Sequence, residues 1–185
     1  RIGNIVNSRQ RGTQITLALD NSLSDDEAYT LAINAKGVTA KGKTAHGVFY
    51  ALMTLDQLLR GNGSTECADA IPALFISDKP RTHVRELMVD PARTFIPFED
   101  LKAFVPEMAR YKLNAMHLHL VDDQAWRIEI KKYPQLTTQA SSRWGQDDIQ
   151  MPYKGYYTQE QMRELVKFAA EYHVDIVPEI EMPGH

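Results

Sequence analysis

The chain has 185 residues, 43% of them hydrophobic, enough for one large domain or two small ones with a real core. A formal net charge of −3 leaves no electrostatic footprint for nucleic acid, and no apolar run of about 18 residues exists to form a membrane span. The single Cys67 excludes an intrachain disulfide framework, and the opening Arg1-Ile2-Gly3-Asn4 holds no apolar secretory core.

Residues 14–20 alternate Ile15, Leu17 and Leu19 against Thr16 and Ala18, a strand pattern, and 21–26 carry loop chemistry. Tyr29, Leu31 and Ile33 predict a second strand over 29–34, and Ala35-Lys36-Gly37 turns the chain into a third at 38–40. Thr44 is placed to cap a helix over 43–60. Its Val48, Ala51, Leu52, Leu55 and Leu59 share one face, and Gly61 suits the C-terminal cap. Residues 71–76 read as a last strand and Ser77-Asp78-Lys79-Pro80 as a linker. Residues 1–80 are therefore expected to form a small α+β domain, an antiparallel sheet with one packed helix. No chemical constellation lies in this half: His46 reads as a capping or surface residue and Cys67 as a loop residue.

Residues 86–89 predict the first strand of a second domain. A helix follows from Pro97, with Leu101, Phe104, Val105 and Met108 on its apolar face. A second strand over about 115–121 and a third over 175–180 are separated by a helix that begins at Thr158, where Gln161 completes a capping box. Met162, Leu165, Val166, Ala169 and Ala170 form its expected buried stripe. Between them lies an insert, 124–157, with Trp126, Tyr133, Trp144, Tyr153, Tyr156 and Tyr157. Loops this long are usually functional, and rim aromatics stack on sugar rings; the plain alternative is that they pack the loop against the barrel. Strand and helix alternate, so residues 81–185 are expected to form the first three βα units of a (β/α)₈ TIM barrel. A flavodoxin-like sheet fits the period equally, but no glycine-rich phosphate loop follows any strand.

The ends of parallel strands are where such folds place chemistry. Arg93 follows the first strand, Asp122 and Asp123 the second, and Glu181-Met182-Pro183-Gly184-His185 the third. Arg93 offers a rigid five-donor fork suited to vicinal hydroxyls, its plain role being a salt bridge to Asp90. Asp122 and Asp123 end an apolar strand, which favours a pocket over a solvated turn. His185 changes charge near neutral pH and suits a proton relay. His117 and His119 point to one side of the second strand, as in zinc-dependent barrel hydrolases. Against a metal, His119 lies below the strand tip and no third ligand has convincing spacing.

The motif Pro178-Glu179-Ile180-Glu181-Met182-Pro183-Gly184-His185, with Asp122-Asp123-Gln124 and Tyr156-Tyr157-Thr158, resembles glycoside hydrolase family 20, the β-N-acetylhexosaminidases. The resemblance covers 81–185, and 1–80 is similar to that family's non-catalytic N-terminal domain. It implies removal of terminal N-acetylhexosamine from glycans by retaining hydrolysis. The substrate's own acetamido oxygen attacks the anomeric carbon, an exception to the two-carboxylate scheme. It further implies that Arg93 binds sugar hydroxyls and that Asp122 and His185 relay to an acid/base glutamate. Glu181, where the family has aspartate, belongs to the substrate site, and His119 and Asp123 support it. Glu179 reads as buried support. No cofactor or metal is implied, and the implied location is periplasmic or secreted. The family's Asp-Glu pair follows a fourth strand, beyond His185. The expectation is thus a fragment of a hexosaminidase without turnover of its own, which self-associates through open barrel strands or keeps 81–185 loosely ordered. The alternatives are a metal-dependent hydrolase using His117 and His119, and a non-catalytic carbohydrate-binding module.

Overall fold

The computed structural model describes residues 14–60, 71–141, 154–182 and 184–185. Expectations attached to residues 1–4, Gly61, Cys67, Trp144, Tyr153 and Pro183 fall outside them. The chain divides into two compact units, Arg1–Arg81 and Thr82–His185.

In the first unit β1 (Ile15–Leu19), β2 (Tyr29–Asn34), β3 (Gly37–Gly42) and β4 (Leu74–Asp78) form one sheet of order β1-β3-β2-β4, with helix α1 (Ala45–Arg60) between β3 and β4 in sequence. β2 is antiparallel to both neighbours, but β1 runs parallel to β3, so the sheet is mixed rather than antiparallel. A two-residue turn closes β2 on β3 with Asn34 opposite Gly37, and β4 takes the other edge of β2. Only the far edge of β3 is left for β1. Gly37 makes that approach possible: its φ is +135°, and a Cβ there would lie 2.3 Å from the Gln14 carbonyl oxygen. β4 begins three residues later than its pattern suggested, because Leu74, Ile76 and Asp78 face Ile33, Leu31 and Tyr29 in the ladder. Asp78, read as linker, accepts a hydrogen bond from the Tyr29 hydroxyl at 3.0 Å.

Helix α1 starts where Thr44 accepts the His46 N–H at 3.2 Å. It packs Tyr50, Ala51 and Leu55 against Tyr29, Leu31, Ile33, Val38 and Ala40, and Val48 is also buried. Leu52 and Leu59 pack at the margin of this core. The edge strand carries its apolar row, Ile15, Leu17 and Leu19, largely exposed.

In the second unit β5 (Glu86–Val89), β6 (Ala115–His119) and β9 (Asp175–Glu179) are parallel, in the order β5-β6-β9. Between β6 and β9 lie a small antiparallel pair, β7 (Val121–Asp122) with β8 (Ala125–Trp126), and the short helix α3 (Gln135–Thr138). Helices α2 (Phe98–Arg110) and α4 (Gln159–Glu171) are the crossovers. Three parallel strands with these helices are part of a TIM barrel.

Alternation along the strands separates two faces. Leu87, Val89, Met116, Leu118 and Ile176 turn toward the helices and join Leu101, Val105, Met108, Leu165 and Ala169 in the core. Glu86, Met88, His117, His119, Val177 and Glu179 occupy the other face by register. The helix stripes are narrower than their periods suggested. Phe104 on α2 and Val166 and Ala170 on α4 are exposed, while Phe168 packs on the core instead. The capping box at Thr158 is present: its side chain accepts the Gln161 N–H at 3.1 Å and the Gln161 side chain accepts the Thr158 N–H at 2.9 Å. Both helices end alike. Lys112 (φ +58°) and His173 (φ +57°) are left-handed, and Leu113 N–H and Val174 N–H reach back to Met108 O and Ala169 O. At the strand starts Asn114 ties the sheet together: its Oδ1 accepts Arg85 N–H at 2.9 Å and its carbonyl accepts Asp175 N–H at 2.9 Å.

Candidate active site

β6 stops at His119, and the two-residue β7 follows it. Asp122 pairs with Ala125, so Asp123 and Gln124 form the tip of a tight hairpin. This turn swings the buried Asp122 carboxylate over the sheet's C-terminal end. Asp122 Oδ1 accepts the Asp123 N–H at 2.7 Å. Its Oδ2 gathers Arg93 Nη2 at 2.6 Å, His119 Nε2 at 2.7 Å and His185 Nδ1 at 3.4 Å. One carboxylate therefore joins residues from behind all three strands. Burial alone would raise the Asp122 pKa. The hydrogen bond to His119, with those of Asp123 N–H and His185 and the charge of Arg93, overrides it and holds the group at about 2.

Arg93 divides its fork between two carboxylates. Nη1 reaches Asp90 Oδ2 at 2.9 Å and Nη2 reaches Asp122, while the Arg93 N–H donates to Asp90 Oδ1 at 3.0 Å. The expected salt bridge to Asp90 is present, and a second one joins Arg93 to Asp122. The pair with Asp90 raises the Arg93 pKa despite partial burial, and Asp122 and Glu181 add to the effect. Glu181 is half-buried, and its Oε2 is buried with no hydrogen-bond partner among the described residues. His185 is exposed and also lies 3.4 Å from Arg93 Nη2 through Nδ1. Gly184 passes so close to Asp123 that a Cβ would stand 2.8 Å from its Oδ1. Asp123 itself is exposed and enters the site through its backbone N–H.

His117 and His119, the pair behind the metal reading, both turn to Glu179. His117 Nε2 lies 2.8 Å and His119 Nδ1 2.5 Å from the same oxygen, Oε2. Glu179, expected as buried support, is only half-buried and faces the two histidines across the sheet. His119, Glu179 and Glu181 bring ligating atoms within 4.8 Å of one another. Both nitrogens of His119 are engaged by carboxylates, however, so neither has a lone pair turned to a cation. Burial would lower the His119 pKa, but the hydrogen bonds to Glu179 and Asp122 outweigh it and leave the pKa raised. Glu179 is held low, first by its hydrogen bond to His119.

Arg127 gave no signal beyond its place in an alternating run, yet it is fully buried. Nε donates to Pro91 O at 2.8 Å, Nη2 to Ala92 O at 3.2 Å, and Nη1 to Ser141 O at 2.6 Å and Gly155 O at 2.9 Å. It thereby ties the turn that precedes Arg93 to both ends of the insert's described part. Burial lowers its pKa. Tyr157 is core: its ring stacks on Phe95 at 5.3 Å, its hydroxyl donates to Ile96 O at 2.7 Å, and burial raises its pKa. Trp126 is half-buried, with Nε1 donating to Ile128 O at 2.6 Å, and Tyr133 and Tyr156 are exposed.

Residues 83–185 match the model of glycosyl hydrolase family 20, catalytic domain, and residues 3–79 match domain 2 of the same family. The chain belongs to glycosyl hydrolase family 20. It is 42% identical over 179 residues to a β-hexosaminidase of Porphyromonas gingivalis, covering 94% of this chain and 23% of that protein. A β-hexosaminidase of Akkermansia muciniphila is 43% identical, over 96% of this chain and 37% of that protein. The crystal structure of a β-N-acetylhexosaminidase superposes with a TM-score of 0.83 at 40% identity, covering 94% of this chain and 36% of that one. The chain thus spans about a quarter to a third of the length of these family 20 relatives.

Proposed function

We propose that the chain supplies the sugar-gripping part of a β-N-acetylhexosaminidase site, which removes terminal N-acetylhexosamine from glycans. The observation that carries this is the convergence of Arg93, His119 and His185 on Asp122 Oδ2 at the ends of three parallel strands. Arg93 is held rigid by Asp90 and Asp122, so the fork is already oriented before a ligand arrives, which limits the entropy lost on binding. Glu181 Oε2 is buried without a donor among the described residues, and a sugar hydroxyl would satisfy it. Asp122 orients His185, whose ring is exposed and free to pass a proton toward a reacting group. His119 and Asp123 hold Asp122 in place. The leaving-group acid that the resemblance implies has no match among these residues, and hydrolysis is assigned to the longest natural chain that carries this sequence. The relatives' names support the reading, and the proposed location is periplasmic or secreted.

The same proposal covers self-association. Among the described residues β5 and β9 pair on one edge only, and Met88, Val177 and Ile180 are exposed beside them.

The test is hydrolysis of a chromogenic N-acetyl-β-glucosaminide by the longest natural chain carrying this sequence. Arg93→Ala should raise KM and lower kcat/KM by about one to two orders of magnitude, the size of a lost charged hydrogen bond worth about 1.5–3 kcal/mol. Unchanged kinetics would remove Arg93 from the site. A concentration-independent monomer by light scattering would remove the self-association.

A further inference from the structure

The inward row of the sheet contains more hydrogen-bonded charge than the sugar-facing set needs. β6 and β9 are in register so that His119 stands opposite Glu179 and His117 opposite Val177. Glu179 Oε2 lies 2.8 Å from His117 Nε2 and 2.5 Å from His119 Nδ1, so both nitrogens must carry a proton toward it. The other nitrogen of His119 is 2.7 Å from Asp122 Oδ2. A neutral imidazole has one N–H, and here a carboxylate waits at each end. The second nitrogen of His117, Nδ1, is 3.8 Å from Glu86 Oε1.

We propose that Glu179 and His117 form the base of a hydrogen-bonded chain that fixes His119 and, through it, the direction of the Asp122 carboxylate. Glu179 and His117 are positioning residues on this account. They touch no substrate and act through His119. The proposal rests on reading Arg93, Asp122 and His185 as the sugar-facing set.

The geometry leaves His119 two protons. The titratable and charged groups of the cluster are Glu86 on β5, which faces His117, Asp90 and Arg93 after β5, His117 on β6, Asp122 after β6, Glu179 on β9, Glu181 beyond it, and His185, which meets Asp122. Glu179, His119, Asp122 and Arg93 then alternate in sign along one line of contacts. A carboxylate with a single donor can rotate. Asp122 has a donor on Oδ1 and a shared Oδ2, and His119 is the one partner that is itself buried and tethered from behind. Glu179→Gln keeps the shape but removes the charge that favours the second proton. His119 would revert to one N–H, and its bond to Asp122 would lose the charge of the imidazolium. Asp122 would then relax, and with it Arg93. A misplacement of about 1 Å at a positioned group costs up to about 100-fold in rate.

The first readout is the ¹⁵N spectrum of the histidine rings in the 185-residue chain, which requires no turnover. Wild-type His119 should keep both nitrogens protonated at pH 7, above the point where a free imidazole with a pKa of about 6.5 has lost most of its second proton. Glu179→Gln should lower that midpoint by about one pH unit. Glu179→Ala removes the same charge, should shift it the same way, and stands in if Glu179→Gln does not fold. A single-proton His119 in the wild type at pH 7, or an unmoved midpoint in the variants, overturns the proposal. The second readout is kcat/KM in the longest natural chain. A fall of about 10–100-fold with a displaced pH profile supports the positioning role. A fall without any change in profile would mark a merely structural role and overturn it. If that chain hydrolyses no N-acetylhexosaminide, the functional reading fails, and the ring spectra still decide whether the hydrogen-bonded chain exists.

Discussion

Replacing Arg127 by methionine tests whether the second unit depends on one buried cation. Four carbonyls point at the guanidinium. Ser141 O also receives Gly155 N–H at 3.2 Å, so three carbonyls, of Pro91, Ala92 and Gly155, lose the donor described for them. A buried acceptor stripped of its donor costs about 1–3 kcal/mol, so the gross loss is roughly 3–9 kcal/mol. Against this, the guanidinium no longer has to be desolvated, a relief of several kcal/mol. The balance is a net loss of about 2–4 kcal/mol. Arg127→Lys keeps the charge with fewer, differently placed donors and should lose about half of that. Both tryptophans, Trp126 and Trp144, fall in the second unit, so tryptophan fluorescence during urea unfolding follows that unit alone. With a slope of about 1–3 kcal/mol per molar urea, the methionine variant should unfold at least about 0.7 M earlier. A loss below about 0.5 kcal/mol with an unchanged slope would show that the carbonyls find other donors, and the reasoning about Arg127 would be wrong.

Three further outcomes follow from single contacts. Asp122 is held at about 2, below its ordinary 3.8, so its stabilisation is full above about pH 4 and is lost as pH falls through about 2; the penalty of Asp122→Asn in urea unfolding should shrink by about 2 kcal/mol between pH 6 and pH 2, and a pH-independent penalty would contradict the hub. Lys112 and His173 hold left-handed φ values at two helix ends, so Lys112→Gly or His173→Gly should each raise stability by about 0.5–1 kcal/mol, measured by thermal melting; destabilisation would mean that their side chains hold the turn. Gly155→Ala would put a Cβ 2.3 Å from the Phe95 ring, which is itself stacked on Tyr157, and should cost about 1–3 kcal/mol as overpacking; a neutral result in the same melt would show that the ring has room to move.

The strand ends were legible because apolar runs stop abruptly at polar residues. Arg93, Asp122 and His185 could be named from that break alone, and the structure brings them together on one oxygen. The mixed sheet was not legible, since strand order β1-β3-β2-β4 depends on which edge stays open after the Gly37 turn closes. Glu179, expected as buried support, is half-buried, and its partners were not legible for a related reason. Its role depends on a register with β6 across 60 residues of sequence, and spacing within one strand does not reveal a cross-strand partner. Arg127 was missed because its partners are all backbone carbonyls, and backbone groups carry no residue identity. The exposed Phe104, Val166 and Ala170 show the limit of helical period: it orders residues around an axis but does not set how wide a stripe the neighbours cover.

The two faces of β6 divide stability from chemistry. Met116 and Leu118 are fully buried among the helices and make no hydrogen bond with the strand-end groups. His117 and His119 alternate with them in sequence and belong to the opposite face. Since successive residues alternate, the chain can change one row without moving the other, provided that the register with β9 is kept. A one-residue slip would turn Glu179 into the core and Pro178 toward the histidines, exposing a carboxylate to an apolar layer at a cost of several kcal/mol. The core therefore selects the register, and the register alone decides that Glu179 meets His119. The functional cluster owes its geometry to side chains that never touch it.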